Sequence, residues 1–427
     1  MRFIHAADLH IDSPLRGLNR FEGAPVARLR SATRQALTRL VDLALDEEVD
    51  FVLIAGDLYD RDWQDFHTGL FVREQMVRLG RAGVKVFIVQ GNHDAQGVIS
   101  RQLPWSDNVK VFSSRSAETV KLDELRVAIH GHSFPDREVP EDLVPGYPMA
   151  VPGYVNIGLL HTSLTGAEGH DTYAPTSLDT LRSKGYDYWA LGHVHARQVV
   201  CDEPRVVYPG NLQGRHARET GPKGCELVSV AGGKLDATFV PLDVVRWHQV
   251  DVVLNPSHSL DALPRVVGEA LQAAVAAAGG ERLHAMRVRL TGETPLHTHE
   301  ARQPGTLAAA VQAAAQDLAD ADVWIEKVQL ALRSPVDRAQ LAQRTDALGE
   351  LVRWVDDLAA EPQALASFGQ PVLAEVLDKL PAELRQTLTR EAADDVPQWD
   401  DAGAMLALLK DAEATLLAHL NVGEEQP

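Results

Sequence analysis

The chain has 427 residues, too many for one ordinary hydrophobic core, so two or three domains are expected. A net charge of −19, concentrated after residue 245, argues against a protein that coats DNA non-specifically, because such a protein carries a basic surface. The sequence has no apolar run of membrane-spanning length, no secretory signal at its start and only two cysteines without metal-site spacing, so we expect a cytoplasmic protein with reduced thiols and no membrane association.

The first 245 residues alternate short apolar runs with helical stretches. Strands are predicted at residues 2–6, 51–55, 85–89, 125–129, 155–160, 188–191, 206–208, 226–230 and 237–240. Between the first two, Leu29, Ala36, Leu40 and Leu43 recur at helical spacing and predict an amphipathic helix. This order predicts an α/β domain over residues 1–245, whose functional loops lie at the carboxyl ends of its strands.

The remaining sequence is predicted to form two further regions. Residues 246–333 show strands at 249–254, 285–290 and 323–329, with helices at 260–278 and 306–318, which predicts a small α/β domain. Residues 334–427 are acidic and helical. They carry two apolar stripes, of which the first is Leu348, Leu351, Val355 and Leu358 and the second is Met405, Leu406, Leu409, Ala412, Leu416 and Leu417.

Carboxylate, amide and imidazole side chains follow five of the predicted strands. In chain order they are Asp8 and His10, then Asp57, then Asn92, His93 and Asp94, then His161, then His193 and His195. Residues i and i+2 of an extended segment point the same way, so Asp8 and His10 can face one ion. Mixed imidazole and carboxylate ligands suit manganese, iron, zinc or cobalt. The pattern therefore predicts a site for two divalent cations at one edge of the sheet.

The order D-x-H, G-D, G-N-H-D, H and G-H-x-H over roughly residues 1–240 resembles the calcineurin-like metallophosphoesterases. The resemblance implies a four-layer α/β/β/α sandwich that hydrolyses phosphoesters with two metal ions, for which manganese is expected. It implies that one metal is held by Asp8, His10, Asp57 and His195 and the other by Asp57, Asn92, His161 and His193. In that scheme Asp57 bridges the metals, His93 protonates the leaving oxygen, and Asp94 orients His93.

The segment IHAADLHIDSPL at residues 4–15 is similar to the DNA repair exonucleases of the SbcD and YhaO type. The sequences Leu103-Pro104-Trp105 and Tyr208-Pro209-Gly210 point to the YhaO branch. This resemblance implies DNA as substrate, residues 246–333 as a capping domain, and a homodimer. It also implies an SbcC-like coiled-coil ATPase that binds the C-terminal helices. Arg61, Trp105 and Arg215 are candidate DNA contacts, with a solvated surface position as the alternative for the two arginines and packing into the core as the favoured alternative for Trp105.

One position departs from the SbcD pattern. Those nucleases have a histidine three residues after the bridging aspartate, whereas this chain has Asp60. The stretch from Gly56 to Arg61 is closer to the G-D-x-x-D-R motif of phosphoprotein phosphatases. A phosphomonoesterase or protein phosphatase therefore remains a second hypothesis. A non-catalytic metal-binding scaffold is a third, which the intact ligands and His93 disfavour.

Overall fold

In the computed structural model, the residues described are 1–13, 25–60, 66–95, 103–164, 173–318, 320–380 and 402–420. The chain forms two compact units. The larger contains Met1–Val250, Gln272–Arg287 and Leu318–Lys327, and the smaller contains Asp251–Leu271, Val288–Asp317 and Val328–Pro427. The predicted domain boundaries after residues 245 and 333 stay predictions.

The elements up to residue 241 belong to the larger unit. They are β1 (Arg2–Ala6), α1 (Val26–Asp46), β2 (Phe51–Ala55), α2 (His67–Arg81), β3 (Lys85–Val89), β4 (Val109–Val111), β5 (Glu118–Leu122), β6 (Val127–Gly131), β7 (Val155–His161), α3 (Leu178–Ser183), β8 (Tyr188–Gly192), β9 (Gln198–Cys201), β10 (Arg205–Tyr208), β11 (Gly224–Ala231) and β12 (Lys234–Pro241). A short 3₁₀ helix, Val144–Gly146, precedes β7. The nine predicted strands are present, with ends that differ by up to three residues.

The strands form two six-stranded sheets. One has the order β12-β11-β1-β2-β3-β4, and the other has the order β5-β6-β7-β8-β10-β9. Strands β1 to β4 run parallel, as do β6, β7, β8 and β10, whereas β11, β12, β5 and β9 pair antiparallel. The carboxyl ends of β1, β2 and β3 therefore lie together in the first sheet, and those of β7 and β8 in the second.

Three apolar layers hold the sheets and helices together. Between the sheets, fully buried side chains such as Phe3 and Phe51 face Ile157 and Tyr188. Outside the first sheet, α1 and α2 bury leucines and methionine against β1, β2 and β3. Outside the second sheet, α3 and the 3₁₀ segment cover apolar side chains of β7 and β8 that include Trp189. The predicted four-layer α/β/β/α sandwich is confirmed.

The segment after residue 241 continues with β13 (Val245–Leu254), α4 (Leu263–Ala278), β14 (Leu283–Glu293), α5 (Leu296–Arg302), α6 (Thr306–Gln316) and β15 (Asp322–Arg333). The three strands form one sheet in the order β13-β14-β15. All five predicted elements are present. Helix α5 was not predicted, because the segment between the predicted elements on either side of it is too short to show a helical period.

The C-terminal helices are α7 (Arg338–Ala342), α8 (Ala347–Ala360), α9 (Pro362–Lys379) and α10 (Ala402–Leu420). Much of both predicted stripes is buried inside the smaller unit. Val355 of α8 packs with Met405 and Leu409 of α10, and Leu417 packs beside Leu348. Helix α10 also packs against α5. Burial of these stripes within the smaller unit leaves less of them for a partner than the two apolar patterns suggest, although Leu416 is exposed.

No helix among the described residues combines the length and apolar character needed to cross a membrane.

Candidate metal centre

The predicted ligands stand at the carboxyl ends of five parallel strands. Asp8 and His10 follow β1, Asp57 follows β2, and Asn92 follows β3. His161 is the last residue of β7, and His193 and His195 follow β8. The prediction of a single sheet edge is wrong in detail, because β7 and β8 belong to the second sheet. Stacking of the two sheets brings the two sets of strand ends together.

Several ligand residues have left-handed backbone conformations that side chains other than glycine rarely adopt. The φ angles are 52° at Asp8, 44° at His10, 50° at Asp57 and 103° at His193. Such conformations cost on the order of 1–3 kcal/mol each and cluster at functional sites. Main-chain hydrogen bonds hold two of these turns, since the N–H groups of Asp8 and His10 donate to the carbonyls of Gly56 and Asp57 at 3.0 Å. The fold thus maintains a strained arrangement at the ligands.

Gly91 and Gly192 allow the strand ends to approach closely. A Cβ atom at Gly192 would clash with the carbonyl oxygen of Ala55, and one at Gly91 would clash with the Asp57 carboxylate. Residues with side chains at these positions would push the β2, β3 and β8 ends apart. These glycines are therefore part of the construction of the site.

Asp57 lies at the centre of the cluster. Its Oδ2 atom is 3.8 Å from Nε2 of His10 and 3.7 Å from Nε2 of His161, and its Oδ1 atom accepts the main-chain N–H of His93 at 3.0 Å. Ligand atoms of Asp8 lie within 4.8 Å of those of His10 and His195, and also of those of Asp57 and His161. Asp57 is thus placed between two groups of nitrogen and oxygen donors, the place that a bridging carboxylate needs.

Asn92 and His193 complete the cluster. Oδ1 of Asn92 lies 3.0 Å from Nε2 of His161. The main-chain N–H of His193 donates to the Asp8 carboxylate at 3.0 Å, and its ring centroid lies 5.2 Å from that of His161. The structure therefore brings all seven predicted ligands into one site, while their division between two metals remains a prediction.

The histidine tautomers fit a cation. Nδ1 of His161 must donate its proton to the carbonyl of Ala55 at 2.9 Å. Nε2 of this ring therefore carries a lone pair, which faces the Asn92 oxygen. Burial lowers the pKa of His161 to about 3 and that of His10 well below its usual value, so both rings are neutral. Nε2 of His10 in turn lies 3.2 Å from Nε2 of His195. Lone pairs that converge in this way are compatible with a positive ion between them.

The buried carboxylates lead to the same conclusion. Asp8 and Asp57 are 1% and 2% exposed, and burial raises the pKa of both, that of Asp8 to about 7. The negative charge of Asp57 also raises the pKa of Asp8. Two close, buried carboxylates are costly without a positive partner. The donor set therefore fits divalent cations, with one carboxylate placed to be shared.

His93 is oriented by Asp60 rather than by Asp94, which corrects the prediction. Nδ1 of His93 lies 2.7 Å from Oδ1 of Asp60, an ion-pair contact without the angle of a linear hydrogen bond. The Asp94 carboxylate instead accepts the main-chain N–H groups of Leu58, Tyr59 and Gly91 at 3.0–3.2 Å. Asp94 therefore holds the β2 and β3 loops together, and its effect on His93 is electrostatic.

The charges around His93 suit an acid. Burial opposes a charged imidazole, but the carboxylates of Asp60, Asp57 and Asp94 outweigh it and raise the pKa of His93 above its usual value. Burial also opposes ionisation of Asp60, yet His93, Ser13 and Arg215 lower its pKa to about 2. At neutral pH an anionic Asp60 therefore faces an imidazole that is readily protonated.

Family models match two parts of the chain. Residues 1–197 match the calcineurin-like phosphoesterases, and residues 247–333 match the middle domain of the metallophosphoesterase YhaO. Residues 1–197 therefore form a calcineurin-like metallophosphoesterase domain. The predicted family and fold class are thereby confirmed.

Two known proteins are similar to this metallophosphoesterase. The uncharacterized metallophosphoesterase YhaO of Bacillus subtilis (strain 168) is 39% identical over 271 residues, which are 62% of this chain and 66% of that protein. The match thus spans just under two thirds of the relative's length. A crystal structure of a dimetal phosphatase from Danio rerio is 14% identical, covers 57% of this chain and 96% of that one, and has a TM-score of 0.34. That score is too low to carry an argument about the site.

Two residues of this metallophosphoesterase that support the cluster were missed in the sequence. Oε1 of Glu219 accepts Nδ1–H of His195 at 2.8 Å, which fixes the tautomer and leaves Nε2 for a metal. The hydroxyl of Ser13 donates to Oδ2 of Asp60 at 2.6 Å, on the side away from His93. Ser13 lies in the quoted segment at residues 4–15 but outside the ligand motifs, and Glu219 follows His195 by 24 positions. The sequence alone carried no signal for either contact.

The structure describes two of the three residues that were predicted as candidate DNA contacts. Arg215 lies beside the cluster, with Nη2 3.0 Å from Glu219 Oε1 and Nη1 3.7 Å from Asp60 Oδ2. Trp105 is half-buried and packs against the core under α1 and α2. Arg61 lies outside the described residues. A role in binding substrate stays a prediction for all three.

Proposed function

We propose that this protein is a phosphodiesterase that cleaves DNA with two bound divalent metal ions. The observation that carries the proposal is the convergence of imidazole and carboxylate donors on Asp57, with His93 and Asp60 directly beside them. The family match supports phosphoester hydrolysis. The choice of DNA rests on the resemblance of residues 4–15 to the SbcD and YhaO exonucleases, and on the match of residues 247–333 to the YhaO middle domain.

The residues have distinct proposed roles. Asp8, His10, Asp57 and His195 would hold one ion, and Asp57, Asn92, His161 and His193 would hold the other. When bound, such ions activate water and stabilise negative charge on the phosphate. His93, held by Asp60, would donate a proton to the leaving oxygen. Arg215 would add positive charge beside the phosphate, with its direction set by Glu219 and Asp60.

Manganese is the proposed metal. The cluster offers imidazole nitrogens and carboxylate or amide oxygens but no thiolate, and such mixed donors suit manganese as well as iron, zinc or cobalt. Loading the metal-free protein with each ion in turn, and comparing rates on one DNA substrate, would identify the most active form. A rate that is highest with zinc, and low with manganese, would contradict this choice.

The substrate class can be tested by a direct comparison. Manganese-loaded protein is incubated with end-labelled single- and double-stranded DNA, and separately with a phosphopeptide and p-nitrophenyl phosphate. The His93→Ala protein serves as the matched control, since it keeps the metal ligands and shows whether the activity belongs to this site. We expect DNA cleavage that the variant loses. Rapid phosphopeptide turnover with intact DNA would contradict the proposal.

One observation favours a second candidate function. The contact between Asp60 and His93 uses the second aspartate of the G-D-x-x-D-R motif shared with phosphoprotein phosphatases. A phosphomonoesterase or protein phosphatase would use the same metal cluster and the same acid. The substrate comparison therefore decides between the two functions, and the metal cluster does not.

A partner is also proposed. We propose that the helical region after residue 333 binds an SbcC-like coiled-coil ATPase, and that the chain forms a homodimer. Phe368, Val372 and Val376 stand one helical turn apart on α9 and are 45%, 56% and 56% exposed. A stripe of this kind suits contact with a partner's helices.

Point variants test the partner better than truncation, because removing the helices would uncover α5. Val372→Asp combined with Val376→Asp should abolish co-purification with a co-expressed ATPase of this class. Val253→Asp, at a position 70% exposed on β13, is the matched control. Equal recovery of the ATPase with both variants would show that it does not bind the exposed face of α9. Light scattering on the purified chain would test the dimer.

A further inference from the structure

The larger unit contains a cavity of about 460 Å³ that the metal chemistry does not use. Side chains of α1, the start of β13, the segment between α4 and β14 and the approach to β15 line it. None of the seven predicted metal ligands is among its lining residues. Its volume lies within the usual range of small-molecule sites, about 300–1,000 Å³.

The inner side of this cavity carries an excess of positive charge. Asp243 is fully buried and accepts hydrogen bonds from Nε and Nη2 of Arg246 at 2.8 and 2.7 Å. The same carboxylate accepts two contacts from Nη1 of Arg282 at 3.0 Å. Nη1 of Arg39 donates to the main-chain carbonyl of Asp243 at 2.9 Å. Two guanidinium groups thus contact the Asp243 carboxylate and a third contacts its main-chain carbonyl, and buried charge without a counter-charge is costly.

Hydrogen-bond donors of Arg282 and Arg39 remain available to a ligand. The Arg282 side chain is 9% exposed, and its Nε has no hydrogen-bond partner within the described part of the chain. Arg39 is half-buried, and its Nη1 donates to the main-chain carbonyls of Leu242 and Asp243. Burial, and after it the neighbouring Arg282, lower the pKa of Arg39, whereas Asp243 acts in the opposite direction.

Nearby groups do not neutralise this excess. His284 lines the cavity, and its Nδ1 lies 3.0 Å from Nε2 of His248. Burial lowers the pKa of both histidines, so the pair adds hydrogen-bonding capacity without charge. The acidic lining residues Glu281 and Asp320 are exposed to solvent, where water and salt screen them. The third, Asp322, pairs with Arg28 at the rim.

We propose that this cavity binds a phosphate group, either as inorganic phosphate or as the phosphate of a mononucleotide. Guanidinium groups in a fixed fork match phosphate oxygens in geometry and charge. Arg39 and Arg282 are the side chains that would bind it, with His284 beside them. A dianion here compensates the excess charge around Asp243. The site is separate from the metal centre and does not depend on which phosphoester the centre cleaves.

Equilibrium dialysis with radiolabelled orthophosphate tests the site. The full manganese-supplemented chain is used with Asp57→Ala as the background, so that phosphate bound by the metal centre does not obscure the cavity. We expect about one phosphate per chain in this background. Adding Arg39→Gln should weaken that binding by about tenfold or more, as expected for loss of a charge-assisted hydrogen bond.

Two further variants complete the design. Arg282→Gln should weaken binding at least as much, and its folding is checked by circular dichroism because the Asp243 carboxylate then keeps only Arg246 and the main-chain N–H of Lys223 as hydrogen-bond donors among the described contacts. Arg265→Gln, on the exposed surface of α4 and paired with Glu269, is the matched control and should bind normally.

A parallel series with labelled deoxyadenosine 5′-monophosphate separates the two ligands. Tighter binding of the nucleotide assigns the cavity to nucleotides, and equal binding assigns it to phosphate. Binding that does not change in folded Arg39→Gln protein overturns the proposal.

Discussion

Replacing Asp60 by asparagine tests how the proposed acid is controlled. The Asp60 carboxylate lies 2.7 Å from Nδ1 of His93 and accepts the Ser13 hydroxyl at 2.6 Å. Asparagine keeps the shape and one oxygen acceptor but removes the negative charge. The two side chains are only 16% and 26% exposed, so solvent screens their interaction weakly. The substitution therefore isolates the charge that favours protonated His93.

The expected loss follows from the strength of a charge-assisted contact. A hydrogen bond to a charged group contributes on the order of 1.5–3 kcal/mol, and we take the ion-pair contact between Asp60 and His93 to lie in this range. A factor of ten in rate corresponds to about 1.4 kcal/mol, so proton transfer to a poor leaving group should slow roughly 10- to 100-fold. An activated leaving group needs little protonation. Hydrolysis of a p-nitrophenyl ester should therefore slow only a few-fold.

The assay compares an alkyl and a p-nitrophenyl diester of thymidine 5′-phosphate in manganese, with metal content measured in parallel. Asp94→Asn is the matched control, because Asp94 accepts three main-chain N–H groups and does not contact the His93 ring. That variant should lose stability or metal rather than show a leaving-group effect. Equal slowing of both esters by Asp60→Asn, at full metal content, would refute the role given to Asp60.

Three further predictions concern other residues. His93→Ala should keep its metals yet slow cleavage of the alkyl diester about 10²–10⁴-fold, and an unchanged rate would exclude it as the acid. Glu219→Gln should weaken metal binding about 10–100-fold in chelator competition, because Glu219 supports His195, and wild-type affinity would contradict this. Burial lowers the pKa of His5 to about 3, so its contribution to stability is complete above pH 6.5 and is lost as pH falls. Between pH 6.5 and 5, wild type should lose about 2 kcal/mol more unfolding free energy in urea than His5→Gln, and parallel losses would contradict it.

The ligand loops could be predicted because each follows a buried, apolar strand. A parallel strand that ends in a motif places that motif at its carboxyl end, so Asp8, Asp57 and Asn92 had to lie near one another. The short strands β4, β5 and β9 escaped prediction. They have only three to five residues and no continuous buried run, and the alternation in exposure along β5 is too short to stand out in the sequence.

The contacts between loops could not be read from the sequence. Asp94 is adjacent to His93 in the chain, yet its carboxylate turns to the main chain of Leu58 and Tyr59. Asp60 is 33 residues away and reaches His93 because the β2 and β3 loops fold against each other. Adjacent residues at a sharp turn point in different directions. Proximity in the sequence was therefore a poor guide to which carboxylate touches the imidazole.

The C-terminal stripes show a second limit. An amphipathic pattern indicates that a helix buries one face, but it does not identify what covers that face. In the structure, Val355, Met405 and Leu409 cover one another inside the smaller unit. The exposed stripe of α9, by contrast, was not among the predicted ones. Only the packed helices reveal which apolar residues remain for a partner.

The central claim is that the Asp57 carboxylate bridges two metal ions, whose other ligands come from the strand ends of both sheets. Elemental analysis of wild-type and Asp57→Ala protein, each supplemented with manganese and freed of excess metal, tests it most directly. We predict close to two ions per chain in the wild type, and a larger loss in Asp57→Ala than in His10→Ala or His161→Ala. One ion or none in the wild type, or an Asp57→Ala protein that keeps both, would contradict the account.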